Sequence, residues 1–242
     1  MPKLSSSAID ENKAHIEQAA KELFIRQGFH ATPMRAIAAR ADVSLGNLYN
    51  YYRTKEELLA SIINGYQKII NARLQAILAE IDEPFLPAEL MKFGRRVRLL
   101  VNEHADYWLL MYIDILEFEN QHFRKMFEGL APKLRQRFAA YFAGLKRERR
   151  LHEGVDPAIA FAAVYMQFFN YFLVEKLFGG RRHFGLSDEQ VITALTGIFC
   201  RGVLRREPVK RSRSKTGGAV GDGVRRNPQA RTKKASAAKR KS

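Results

Sequence analysis

An all-α fold is predicted for this 242-residue chain by three observations. Apolar residues recur at three- and four-residue spacing along most of its length, as at Ile16, Ala19, Ala20, Leu23 and Phe24. That period lines them up on one face of a helix. No long Val/Ile/Thr alternation marks a strand. Helix-start signals punctuate the chain: Thr54 with Glu57, Asp156 with Pro157, and Ser187 with Gln190. They divide it into a three-helix unit over 1–54 with a short flexible start, a larger helical unit over 55–205, and a disordered basic tail over 206–242.

The first helix is expected from about Asn12 to Gln27, with Gly28 in a left-handed turn at its end and Phe29 folding back on the core. Thr32 is expected to cap the second helix, with Pro33 at its first position. Met34, Ile37, Ala38 and Ala41 form its buried face. Asp42 falls where the next turn needs a left-handed residue, at a cost of about 1 kcal/mol for a residue other than glycine. Val43 plugs the core, and Ser44 caps a third helix over Leu45–Tyr51. Leu48 and Tyr52, four apart, face inward, which leaves Leu45, Gly46, Asn47, Tyr49, Asn50 and Tyr51 on the outer side or its flanks.

Two short helices joined by a tight turn form a helix-turn-helix, which inserts the start of its second helix into a DNA major groove. The outer residues suit that task. Gly46 weakens a helix but allows close approach. Asn47 can hydrogen-bond a base edge, and Leu45 can meet a thymine methyl. Tyr49 and Tyr51 carry hydroxyls on rigid arms, suited to phosphate or sugar contact. Lys55 and the free amides of the helix starting at Thr54 can hold a backbone phosphate. Charge adds no support, since residues 1–60 hold eight basic and seven acidic groups.

The run GFHATPMRAIAARADVSLGNLYNYYRTKEELL closely resembles the DNA-binding domain of the TetR family of bacterial transcriptional regulators. The matching residues are Gly28, Phe29, Thr32, Ile37, Ala38, Ala41, Val43, Ser44, Gly46, Leu48, Tyr49, Tyr51, Lys55 and Leu58. Two positions depart from the usual pattern: Asp42 replaces the turn glycine, and Tyr52 replaces a phenylalanine. The resemblance implies that Thr32, Tyr49 and Lys55 hold phosphates, that Leu45 and Asn47 meet bases, and that Tyr51 lies where phosphate contact is common.

Downstream, helices are expected near 55–80, 88–104, 106–117, 120–128, 132–150, 157–177 and 188–205, with breaks at Pro84–Pro87, Pro132 and Gly179–Gly180. The helix near 157–177 is apolar around most of its circumference, and the one near 188–205 is strongly apolar with Ala194, Gly197 and Gly202. Such helices suit a four-helix interface between two copies, and the resemblance implies this homodimer. A pocket for a small apolar or aromatic effector is expected among Phe93, Val97, Leu100, His104, Trp108, Tyr112, Ile115, Phe138, Tyr165 and Phe169. Ordinary core packing is the competing reading of each. Glu117, Glu119, His122 and Arg124 could add polarity to that pocket, but are rather expected to face solvent or to lie near the junction with the first unit. Arg95, Arg96 and Arg98 are expected on a solvated face.

The formal charge of +16 is uneven. Residues 203–242 hold 14 basic and two acidic groups, +12, and the other 202 residues hold 27 and 23, only +4. The tail's charge suits phosphate binding without sequence readout, and a solvated tail with no dedicated role is the competing reading. A single cysteine, Cys200, excludes an internal disulfide framework. No P-loop, dinucleotide fingerprint, HExxH or GxSxG occurs, and the histidines lack metal-site spacing, so no enzyme, metal or cofactor is expected. The first thirty residues lack a signal-peptide core, and no apolar run reaches 18 residues, so the expected location is cytoplasmic, without membrane insertion. The function expected is a ligand-responsive regulator, most simply a repressor on a near-palindromic operator. The alternative is a nucleoid-type DNA-binding protein without an effector.

Overall fold

The computed structural model describes residues 6–125, 128–179 and 183–205. Ten α-helices occur among them: α1 Ser6–Gln27, α2 Met34–Arg40, α3 Leu45–Tyr51, α4 Lys55–Ala79, α5 Pro87–Glu103, α6 Ala105–Glu117, α7 Leu130–Arg137, α8 Ala139–Arg147, α9 Pro157–Leu177 and α10 Asp188–Val203. The tail expected over 206–242 lies outside the described residues.

The first three helices close on Ile16, Ala20, Leu23, Phe24, Phe29, Ile37 and Leu48, all buried. Helix α1 starts earlier than its apolar stripe, at Ser6 rather than Asn12. Asp42 has a φ of 53°, the left-handed conformation its turn demands. Ser44 caps α3 by accepting from the Asn47 amide at 3.1 Å. Tyr52 is buried like the phenylalanine it replaces. Its hydroxyl donates to the Glu17 carboxylate, which also accepts from Ser61 Oγ at 2.7 Å. The added polar atom is therefore satisfied, as burial requires.

Thr32 does not cap α2. The cap position is Pro33, whose ring carries no hydrogen-bonding atom. Thr32 is fully buried; its Oγ1 donates to the Gly28 carbonyl at 2.7 Å and accepts from Gln27 Nε2 at 3.2 Å. The hydroxyl closes the end of α1 instead of opening α2.

The larger unit is built around α9, whose Phe161, Val164, Tyr165, Phe168, Phe169, Phe172 and Leu173 are buried. Asp156 caps it by accepting from the Ala158 and Ile159 amides, with Pro157 at its first position. Helix α9 is also long and apolar enough to cross a membrane, although half of its most apolar stretch is buried within the protein. Counting unbroken apolar runs overlooks this, because Gln167 and Asn170 interrupt the run. Helix α5 lies close to α9 because Gly94 has no side chain: a Cβ there would sit 3.0 Å from the Phe168 ring and 3.2 Å from Ile192 Cγ2.

Two predicted helices differ from those observed. Residues 119–125 form turns, not a helix, and Glu119 and Asn120 both have positive φ. The helix expected over 132–150 is two, α7 and α8, broken at Phe138 (φ −110°, ψ 23°). Pro132 does not break the chain; it sits in the first turn of α7, where its missing N–H costs nothing. The arginines expected on a solvated face are paired: Arg95 with Glu189, Arg96 with Glu80 and Arg98 with Asp188.

Candidate nucleic-acid interface and its link to the helical core

The outward face of α3 takes shape from the burial of Leu48 and Tyr52 beneath it. Leu45 and Tyr49 are 42% and 47% exposed, high values for large apolar-bodied side chains. Ser44, Gly46 and Asn50 are exposed beside them. Asn47 and Tyr51 are half-buried at the edge, where the Tyr51 hydroxyl accepts from Asn12 Nδ2 at 3.4 Å. Gly46 has no internal justification: it lies in the first turn of α3 without positive φ, and a Cβ there would meet nothing within 4 Å. A helix glycine costs about 1 kcal/mol relative to alanine. The return on that cost must lie outside the chain.

The three residues expected to hold phosphates stand differently. Tyr49 lies exposed on the outer face of α3. Thr32 presents nothing, because its hydroxyl is spent inside. Lys55 is partly occupied: its Nζ donates to the Phe29 carbonyl at 2.7 Å and lies 4.3 Å from the centre of the Phe29 ring. It ties the start of α4 to the turn between α1 and α2.

Helix α6 grips this same unit at both ends. At its start, Asp106 Oδ2 lies 3.0 Å from the Nζ of Lys21 on α1, which also donates to the Tyr66 hydroxyl on α4 at 2.9 Å. Burial works to lower the Lys21 pKa, but the hydrogen bonds to Tyr66 and Asp106 outweigh it and hold the pKa above its ordinary value. At its end, Glu117 accepts from the amides of Phe29 at 3.2 Å and His30 at 3.0 Å. Phe118 packs edge-on against Phe29, with ring centres 4.6 Å apart. Glu117 thus lies at the junction, one of the placements expected for it.

Sequence reasoning missed Asp114. Its carboxylate is fully buried, accepts from the amides of His122 and Phe123 at 3.0 and 3.1 Å, and pairs with His122 Nδ1 at 2.6 Å. The available signal was an acid inside the otherwise apolar run WLLMYIDIL.

The residues expected around an effector form a packed aromatic core. Phe93 lies 5.0 Å from Phe161 and 6.0 Å from Tyr165, Trp108 4.9 Å from Phe169, and Phe138 5.4 Å from Phe161. Val97 and Leu100 are buried among them. Tyr112 and Ile115 do not join: they are 38% and 44% exposed, because α6 turns that side outward. Leu100 also borders a depression of about 110 Å³ between α4 and α5. A larger cleft of about 360 Å³ opens between α4 and α7, floored by Leu74, Leu78 and Leu130 and rimmed by Gln75 and Lys133. His104, at the bend between α5 and α6, has a buried Nε2 with no partner among the described residues. Burial pushes its pKa below the ordinary value.

A helix-turn-helix unit clamped by a helical core defines the class of DNA-reading regulators built from one reader and one larger helical domain. Residues 16–62 match the family model for bacterial regulatory proteins of the tetR family. Over that stretch the chain is similar to the regulators of the tetR family. Over 70 residues it is 43% identical to the transcriptional repressor KstR of Rhodococcus jostii, covering 29% of this chain and 33% of that protein. Over 121 residues it is 28% identical to the transcriptional activator FasR of Mycolicibacterium smegmatis, covering 50% and 47%. The matches thus span about a third to a half of these relatives' lengths. A crystal structure of a protein from Mesorhizobium loti assigned to the TetR family shares the fold, with a TM-score of 0.61 at 20% identity, over 84% of this chain and all of that one.

Proposed function

We propose that this chain is a ligand-responsive transcriptional regulator that binds a near-palindromic operator as a homodimer in the bacterial cytoplasm. The observation that carries this reading is the outer face of α3, where Leu45 and Tyr49 are exposed around a glycine without an internal reason. Residues 1–54 read DNA. Leu45 and Asn47 meet base edges; Ser44, Tyr49, Asn50, Tyr51 and Lys55 hold the backbone around them, and Thr32 supports the turn from within. Residues 55–205 bind the effector and the second copy.

Exposed apolar residues on the last two helices support the dimer: Ile159, Val174 and Phe178 on or just after α9, and Ile198 on α10. A second copy would remove them from water. Effector binding finds support in His104, whose unmet nitrogen lies beside the aromatic core and suits one polar group on a mostly apolar ligand. The double grip of α6 on α1 and its turn offers the route of coupling. Induction requires the effector to favour the DNA-free state over the DNA-bound one. Release of a repressor is the first reading. FasR, named an activator, favours activation as the second.

Footprinting on the DNA upstream of the gene tests the proposal. A regulator protects one short, two-fold symmetric site, whereas broad protection would favour a nucleoid-type binder. Gly46→Ala separates readout from folding. It should raise thermal stability by about 0.5–1 kcal/mol, the difference in helix propensity, while weakening operator binding at least tenfold. Unchanged operator affinity would remove Gly46 from the interface.

A further inference from the structure

We propose that the end of the helical unit farthest from α3 is a second DNA-binding surface, which holds a separate duplex through its phosphates. Helix α4 sets the separation. It begins against the reader, where Lys55 holds Phe29, and runs 25 residues, about 37 Å. Beyond its other end, Phe85 packs against Tyr141 and Phe142 of α8 and Phe199 of α10. The surface lies where those two helices finish. A short antiparallel bridge joins Leu151 to Leu204; His152 N donates to the Val203 carbonyl at 3.1 Å, and Arg205 N to the Arg150 carbonyl at 2.8 Å.

This bridge fixes Lys146, Arg147, Arg149, Arg150, His152 and Arg205 together; Lys146, Arg149, His152 and Arg205 line a depression of about 390 Å³, with Glu153 as the single acid among its lining residues. Elsewhere in the helical unit, Arg95, Arg96, Arg98, Arg135 and Arg137 each face a carboxylate, whereas Arg73, Arg124 and Arg201, unpaired among the described residues, are scattered along three different helices or turns. At this end Arg150 has Glu148 at 4.0 Å, while Lys146, Arg147, Arg149 and Arg205 pair with no carboxylate among the described residues. Arg149 moreover occupies a left-handed position, φ 55°, just past α8, where glycine is ordinarily favoured. A cation is kept there against its backbone preference.

Unneutralised arginine and lysine at the end of α8 and on the segments just after α8 and α10 match a polyanion with closely spaced charges. Duplex DNA carries one charge per about 1.7 Å. The separation of about 37 Å exceeds four Debye lengths at physiological salt, so these cations contribute little to a duplex held by α3. A second segment is their partner, and a chain holding both would link two stretches of DNA.

The test uses the full-length protein with two 30-base-pair duplexes lacking any operator, one immobilised and one labelled. Wild type should capture the labelled duplex on the immobilised one, and rising salt should abolish capture. The variant Lys146→Glu/Arg147→Glu/Arg149→Glu/Arg205→Glu should lose at least tenfold in capture, with single-duplex operator affinity within twofold of wild type. The same four positions changed to Gln should give an intermediate loss, which guards against a folding defect. Equal capture by wild type and both variants overturns the proposal. So does competition by polyglutamate as strong as that of duplex at equal charge, which would make this an acidic-protein surface.

Discussion

Replacing Trp108 by alanine should cost about 3–5 kcal/mol of folding stability, the range for deleting a large, fully buried aromatic. Trp108 is 1% exposed, its ring lies 4.8 Å from Tyr107 and 4.9 Å from Phe169, and Nε1 donates to the Val101 carbonyl at 3.2 Å. Truncation removes those contacts and leaves a hole that α6 and α9 cannot close without shifting. It also orphans the Val101 carbonyl. Domains of this kind are typically stable by about 5–15 kcal/mol, so the loss is a large fraction of the whole. Urea unfolding checks it: the midpoint should fall with little change in slope. A loss below about 1 kcal/mol would mean that the ring lines open space rather than packed core. Because α6 also holds the reader, a change in effector response by this variant is interpretable only at a temperature where it remains folded.

The contrast between α3 and the aromatic core explains what the sequence made legible. In α3, spacing alone separates Leu48 and Tyr52 inside from Leu45 and Tyr49 outside, because seven residues on a small core leave few alternatives. The turn was equally readable, since a left-handed Asp42 and a capping Ser44 are local chemistry. Phe93, Tyr165 and Phe169 gave no such separation. Four-residue spacing brings aromatic rings to one face, but whether that face meets a cavity or another ring depends on partners far away in sequence, such as Phe161 against Phe93. Thr32 failed for a related reason. A threonine before a proline has the chemistry of a cap, yet the Gly28 carbonyl at the end of α1 competes for the same hydroxyl and wins. The loop over 119–125 reads as helix by composition. It is held in turns by Asp114, an acceptor that no local pattern links to His122 and Phe123.

That carboxylate supplies the second large effect. Asp114→Ala should cost about 3–5 kcal/mol, because a buried charged acceptor is removed while its partners stay in place. The amides of His122 and Phe123 and the His122 ring nitrogen would each lose an acceptor, at about 1–3 kcal/mol apiece where water cannot reach them. Asp114→Asn should cost less, since the amide oxygen still accepts from the backbone. The consequence should extend beyond stability. The loop that Asp114 anchors begins at Phe118, whose ring packs on Phe29, and adjoins Glu117, which holds the Phe29 and His30 amides. Loosening it should therefore speed hydrogen exchange at those two amides, on the far side of the junction from the substitution, more than at the buried amides of α9. If exchange at Phe29 and His30 stays at its wild-type rate in the folded variant, Asp114 stabilises its own loop without holding the reader. If it rises, the grip of α6 on the turn depends on a buried carboxylate that touches neither DNA nor effector.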